Sequence, residues 1–269
     1  MTSDIHPSAV VSEKAVIGKG VKIGPFCYVA DHVKIGEGTV LSSSVKILDF
    51  VEIGRDCRIC ENTVLGGEPQ DTAFGGERTW VIIGDRNTLR ENVTIHRSTG
   101  EGTCTRVGND CFLMEGVHIG HNVIVGDHVT MANKVGLSGF SSVGDRTVLG
   151  GISGLHQFVR IGRFCMVGGL SKIVKDIPPF LLVDGHPGKI YSINRVGLKR
   201  AGFDSRQRKH IVEVYKFLYH GGLPLRAALE EAEKVFEGSE LAMEIVEFMK
   251  NSKRGVEFWA ARNRSREGD

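Results

Sequence analysis

The chain has 269 residues, 41% hydrophobic and 25% charged, with a formal net charge of +2. That balance belongs to a folded, soluble protein and excludes both a disordered segment and a globally basic nucleic-acid binder. Thirty-five glycines against 7% aromatic residues point to a chain dense in tight turns.

The first residues form no basic and apolar leader, and no apolar run approaches the ~18 residues of a membrane span. A cytoplasmic protein without a transmembrane segment is expected. From Ile5 an aliphatic residue recurs at every sixth position, through Val11, Ile17, Ile23, Val29, Ile35, Leu41, Ile47, Ile53 and Ile59 to Leu65. The period resumes at Ile83, Leu89 and Ile95 and runs again from Val107 to Ile173. Only Asp71, Glu77 and Glu101 break the series; they mark loops that leave the repeat and re-enter it in phase. Glycine often follows the aliphatic residue, as at Gly18, Gly36, Gly54, Gly108 and Gly144. A small residue lies four positions after it, as at Val21, Val45, Val123 and Val135.

A period of six fits neither the 3.6 of a helix nor the 2 of an ordinary strand. It fits a coil of three short strands joined by turns, about 18 residues per coil, whose aliphatic ladders stack at about 4.8 Å in a parallel β-helix. An up-and-down barrel would require strict alternation and hairpin turns, which are absent. Cys27, Cys57, Cys111 and Cys165 occupy the small position of the repeat and read as core residues of a reducing compartment. Cys57 and Cys60 form a lone CxxC with no second pair, so no metal site is read there.

Pro178 and Pro179 end the repeat, because proline supplies no N–H to a stacked strand. Residues 1–177 are therefore assigned to the β-helix, 178–200 to a linker and 201–269 to an α-helical domain. Asp204 or Ser205 caps a helix running to about Tyr219 and closed by Gly221 and Gly222. Pro224 opens a second helix, and Ser239 precedes a third that ends near Asn251. The Arg-rich end, RNRSREGD, is expected to fray.

Within MEGVHIGHNVIVG, Met114 to Gly126, two histidines three apart interrupt the repeat. With an 18-residue coil, His121 lies below Gly139, with Gln157 above that, and His118 lies below Gly136 and Gly154. Both imidazoles face columns that carry no side chain in the next coil. Such a groove admits an acyl group and lets a glycine N–H point at a developing oxyanion. Histidine, with an unperturbed pKa of ~6.5, suits a general base near neutral pH. His156 falls within the same few coils, whereas His6, His32, His128, His210 and His220 read as turn or surface residues. Two alternatives stand beside this reading. A zinc centre would need carboxylate or cysteine neighbours that the pattern lacks, and a non-catalytic scaffold has no use for histidines facing a glycine-lined groove.

The repeat, GGEPQD at Gly66 to Asp71, IGDRN at Ile83, VTIHR at Val93, HIGH at His118, LHQF at Leu155, MVGG at Met166, DIPP at Asp176 and GLKRAGF at Gly197 occur in that order. Together they resemble the acyl-[acyl-carrier-protein]:UDP-N-acetylglucosamine O-acyltransferases that begin lipid A biosynthesis. The resemblance spans the repeat and the helical domain; the wider hexapeptide class shares the repeat alone. It implies that the solenoid is a left-handed parallel β-helix, a handedness the spacing does not give, followed by a small C-terminal α-helical domain. The implied reaction moves a 3-hydroxyacyl chain from acyl carrier protein to the glucosamine 3-position of a UDP-sugar nucleotide. No cofactor is implied beyond the donor's phosphopantetheine, and a homotrimer with sites between subunits is.

By that resemblance His121 is the general base and the Gly139 N–H meets the thioester oxyanion. Gln70, Asp71 and His118 would hold the sugar, His156 and Gln157 line the acceptor and acyl region, and Asn194 with Arg200 meet the uridine and diphosphate end. Met166 and Gly169 would set acyl length, with Gly169 leaving the groove long. Lys172, Lys175, Lys199, Arg200, Arg206, Arg208 and Lys209 would form a docking surface for the acidic carrier protein. The family's usual lysine, histidine, glutamate and arginine are replaced here by Ala73, Phe140, Val196 and Ala201. An acceptor amine, on a 3-amino UDP-sugar or at the 2-position in the next acylation, is the alternative to the hydroxyl.

Overall fold

The computed structural model describes residues 3–260, so RNRSREGD lies outside the described residues. Three parallel ladders of short strands wind into the left-handed β-helix. Asp4 registers on Lys22, and Lys22 on Val40, giving the expected offset of 18. Two excursions lengthen it. Arg58 registers on Thr88 and Thr88 on Phe112, so the coils there are longer by twelve and six residues, whole multiples of the hexapeptide. The extra chain lies between Gly67 and Trp80 and between His96 and Cys104, and it contains Asp71, Glu77 and Glu101 as expected.

Every aliphatic residue of the central series, from Ile23 to Ile173, points inward and is buried. Each contributes about 1.5–3 kcal/mol by leaving water, beside backbone hydrogen bonds such as Tyr28 N–H to Val45 and Ala30 N–H to Ile47 that join successive coils. Ile5, Val10 and Val16 are exposed at the open N-terminal end. Buried Cys27, Cys57, Cys111 and Cys165 complete the core. Burial pushes the Cys111 and Cys165 thiols up to about 12.

The glycines play a different part from the one the composition suggests. The left-handed backbone at the corners falls three residues after the aliphatic position, commonly on residues with side chains, such as Asn62, Asn122, Phe140 and Phe158. The glycine directly after the aliphatic is required by close approach instead. A Cβ on Gly36 would lie 2.5 Å from the Gly54 carbonyl carbon in the next coil. Stacking distance, rather than turn conformation, explains most of the hexapeptide glycines.

The segment expected to be a linker, 178–200, is ordered structure. Strands Leu181–Gly185 and Gly188–Ile193 form an antiparallel hairpin whose first strand adds in parallel to Met166–Val167. Phe180, Leu181, Val183, Ile190 and Ile193 are buried there and close the end of the solenoid. A short helix α1 (Arg195–Arg200) follows, capped by Asn194. Helix α2 (Ser205–His220) opens with a capping box in which Asp204 and Gln207 exchange side-chain and backbone bonds. Helices α3 (Leu225–Val235) and α4 (Glu240–Lys250) begin after Pro224 and Ser239, as expected. Among the described residues no helix is long and apolar enough to cross a membrane.

The helical unit is tied back to the solenoid. Arg163 grips Glu244 through two bonds of 2.6 Å, and the Tyr215 hydroxyl donates to the Pro179 carbonyl. The segment after α4 bridges from Val256 to Asp176 and from Trp259 to Ile190. Asp176, fully buried, accepts the Arg160 N–H through one carboxylate oxygen and the Ser252 hydroxyl through the other. Asp176→Ala would leave those half-buried donors unmatched, at about 1 kcal/mol each. A clearly lowered melting temperature in differential scanning calorimetry is expected, with wild-type far-ultraviolet circular dichroism at 25 °C.

Candidate active site

The two histidines occupy one cleft of about 500 Å³, lined by Gln70, His118, Gly120, His121, Gly136 to Gly139 and Gly154 to Gln157. Concavities of about 650 Å³ lie elsewhere, for example between Tyr191, Tyr215, Lys216 and Trp259. That one gathers none of the candidate site residues, so chemistry rather than volume identifies the site.

The cleft follows from the coil register. His118 sits beside Gly136, and Gly136 beside Gly154, along one ladder. A Cβ at Gly136 or Gly154 would enter open space, so these glycines keep the groove empty. His121 occupies the following corner and is 4% exposed. A Cβ on Gly139 would overlap its ring at Nε2 and Cε1, so the absent side chain is what lets the imidazole stand there. Among the described residues no acceptor takes the Gly139 N–H.

Asn122, a residue the repeat pattern passed over, sets the state of the His121 ring. The Asn122 amide donates from Nδ2 to the Thr99 carbonyl at 2.9 Å, while its Oδ1 accepts the Thr99 N–H at 2.9 Å and hydroxyl at 3.0 Å. The amide can therefore face only one way. Its oxygen lies 2.9 Å from His121 Nδ1, which must donate the proton of that hydrogen bond. In the neutral ring Nε2 is then the unprotonated nitrogen, and it faces Gly139.

His118 shares a hydrogen bond of 2.9 Å with the Thr94 hydroxyl one coil below. The His96 ring lies edge-on at 5.2 Å. Burial, reinforced by His96, holds the His118 imidazole below its ordinary value of 6.5. Phe140 meets the His121 ring edge-on at 5.2 Å and stacks on Phe158 at 5.0 Å, and both phenylalanines are partly exposed. Thr94 and His96 escaped the sequence reading because it added 18 upward, and Asn122 because it occupies an ordinary corner position of the repeat. Below this coil the offset is 24, since the second excursion intervenes.

Of the residues picked out in the sequence, Gln70, His118, His121, Gly139, His156 and Gln157 meet in the cleft. Asp71 is in the same inserted loop as Gln70 and accepts the Ala73 N–H. Met166 and Gly169 lie outside the cleft's lining, with Gly169 against Gly151. Asn194 is buried, accepting the Gly197 N–H and donating to the Phe164 carbonyl, so it holds α1 in place. Arg200 lines a separate concavity of about 640 Å³ with Arg195, Val196, Lys199 and Arg208.

Three comparisons place the chain among known proteins. A family profile described as Udp N-acetylglucosamine O-acyltransferase, domain 2, matches residues 176–257. The bacterial transferase hexapeptide profile matches residues 14–49, 32–67 and 104–139. An acyl-[acyl-carrier-protein]–UDP-N-acetylglucosamine O-acyltransferase of Thermodesulfovibrio yellowstonii is 42% identical over 256 residues, covering 94% of this chain and 99% of the relative. The solved UDP-N-acetylglucosamine O-acyltransferase of Moraxella catarrhalis is 38% identical, with a TM-score of 0.90, covering 94% of this chain and 98% of its own. The UDP-N-acetylglucosamine acyltransferase of Francisella novicida is 37% identical, with a TM-score of 0.92, covering 96% and 95%.

The folded protein resists charging the His118 ring, which the unfolded chain protonates near 6.5. The associated stability is thus complete above that pH and is lost as pH falls through it toward the lower folded midpoint. Proton NMR titration of the His118 ring should give a midpoint below 6.5 that rises when His96 is replaced by Gln; a midpoint at or above 6.5 would contradict the assignment.

Proposed function

The chain belongs to the UDP-N-acetylglucosamine O-acyltransferase family, and from that premise we propose that it transfers a 3-hydroxyacyl chain from acyl carrier protein to the 3-hydroxyl of UDP-N-acetylglucosamine. This is the first step of lipid A biosynthesis. The observation that carries the reading is His121 Nε2 facing a Gly139 whose N–H no described group accepts.

In this mechanism Nε2 removes the proton of the sugar 3-hydroxyl as its oxygen attacks the thioester carbonyl. The new C–O bond places negative charge on the former carbonyl oxygen, and the Gly139 N–H donates to it. The tetrahedral intermediate collapses, the C–S bond breaks, and the His121 imidazolium returns its proton to the departing phosphopantetheine sulfur. Asn122 supplies orientation without charge: its amide fixes the reactive tautomer but does not stabilise the imidazolium as a carboxylate would.

The neutral His118 and Asp71 bind sugar hydroxyls, Gln70 assists, and His156 with Gln157 line the acceptor and acyl region. Arg200, among cations with no acid lining the same concavity, meets the diphosphate, and Asn194 acts at one remove by capping the helix that carries it. The proposed assembly is a homotrimer, supported by the exposed Phe140, which packs on the His121 ring, and Phe158, which stacks on Phe140; the proposed location is the cytoplasm. Carrier protein docks on the cations of α1 and α2: Lys199, Arg200 and Arg208 line one concavity, and Arg206 and Lys209 line another that they share with Asp204 and Glu213. No cofactor is required beyond the donor's phosphopantetheine.

His121→Ala should lower kcat by roughly 10²–10⁴-fold, the range of a lost general base, with the fold intact by circular dichroism. The assay follows product by mass spectrometry with UDP-N-acetylglucosamine and its 3-amino analogue as acceptors. Retained activity in the variant, or acylation of the amine alone, would overturn the reading. Gly169 has no left-handed φ to strain a side chain, and a Cβ there would sit 3.3 Å from the Gly151 carbonyl oxygen, so a side chain requires that backbone to give by a few tenths of an ångström. Gly169→Met should shift preference toward shorter acyl donors across a set of defined chain lengths; an unchanged profile would refute a role in chain length.

A further inference from the structure

The first inserted loop carries Gln70 and Asp71, and its departure from the solenoid wall is held by one side chain. Leu65 registers on Ile95, but Gly67, rather than Gly66, registers on His96. Gly66 is the extra residue of this bulge, with φ +87. The bulge brings Gly67 under the His96 ring. A Cβ there would lie 3.1 Å from Nδ1 and 3.2 Å from Cε1, so the glycine is what admits the ring. From that position Nδ1 lies 2.6 Å from the Glu68 carbonyl oxygen. A carbonyl only accepts, so Nδ1 carries the proton.

Pro69 follows and is buried, then Gln70 reaches the cleft lining. The loop thus passes from the His96 anchor to the active site within two residues. The adjacent Arg97 donates its N–H to the Gly67 carbonyl and lays its guanidinium 5.6 Å from the Phe74 ring further along the loop. The other face of His96 packs edge-on against His118.

We infer that His96 is a positioning residue for acceptor binding: through Nδ1 it grips the Glu68 carbonyl and so fixes Gln70 and Asp71 over the sugar end of the cleft. It touches neither the reacting atoms nor the acyl donor. The identity of the acceptor rests on the function proposed above; the anchoring of the loop does not.

Two amide replacements separate the ring nitrogens. The Asn side-chain nitrogen falls near the place of histidine Nδ1, whereas the Gln nitrogen reaches toward the place of Nε2. His96→Ala should raise the KM for UDP-N-acetylglucosamine roughly tenfold, as for loss of one well-placed hydrogen bond. The carrier-protein KM should stay unchanged and kcat should fall less than the acceptor KM rises. Amide hydrogen exchange across residues 69–79 should quicken in the same variant. His96→Asn should restore both acceptor KM and exchange protection, and His96→Gln neither.

Rescue by Gln and not by Asn would mean that Nε2 works on a ligand directly, and would overturn the inference. So would an Ala variant with unchanged KM and protection, or one that loses kcat while the loop stays protected. If the Ala variant fails to fold, the Asn and Gln pair still decides. If the wild-type protein does not acylate this acceptor, the functional proposal falls, and the exchange measurement still judges the anchor by itself.

Discussion

Parallel stacking in register, with one coil per 18 residues, is the constraint on which the rest of the molecule depends. It converts sequence separation into spatial adjacency, so that a side chain and the backbone bare of side chain above it are set by what stands one coil later. His118 under two glycines and His121 under Gly139 are consequences of this rule. The aliphatic ladders keep the rule rigid, since a slip of one residue would turn every buried Ile, Leu and Val outward. The same rigidity makes a groove with fixed walls, suited to chemistry that depends on a proton acceptor and an N–H donor held at one separation.

The repeat, its two excursions and the glycine columns were legible because each is a statement about period. The helices were legible from caps: Asp204, Pro224 and Ser239 stand where the chain enters α2, α3 and α4. Two readings failed for physical reasons. The segment 178–200 has prolines at its start but then alternates buried and exposed residues through Leu181, Val183, Ile190 and Ile193. It is a hairpin, and the proline stop concealed it. The glycines after each aliphatic looked like turn formers, whereas the left-handed corners fall elsewhere and those glycines answer to the approach of the next coil.

The supporting residues of the site were illegible for one shared reason. They lie below the histidine coil, across insertions that change the offset. Thr94 reaches His118 from 24 residues away, Thr99 reaches Asn122 from 23, and His96 reaches Glu68 from 28 across a bulge. Adding 18 does not find them. The two excursions are therefore more than decoration on the solenoid. One delivers Gln70 to the cleft, and the other clamps the amide that orients His121. Family resemblance supplied the handedness and the proposed role of each residue, and the geometry favours the histidine at the corner over the one on the strand for the proposed base, because Asn122 leaves its Nε2 unprotonated and facing Gly139.

The proposed base depends on which nitrogen of one ring bears the proton. Protein labelled with ¹⁵N-histidine, with the His121 signals assigned by their loss in His121→Gln, allows the tautomer to be read from the nitrogen shifts at neutral pH. A protonated, pyrrole-like Nδ1 and an unprotonated, pyridine-like Nε2 are the expected result, because Asn122 Oδ1 accepts from Nδ1. A proton resident on Nε2 would leave no base facing Gly139 and would contradict the mechanism.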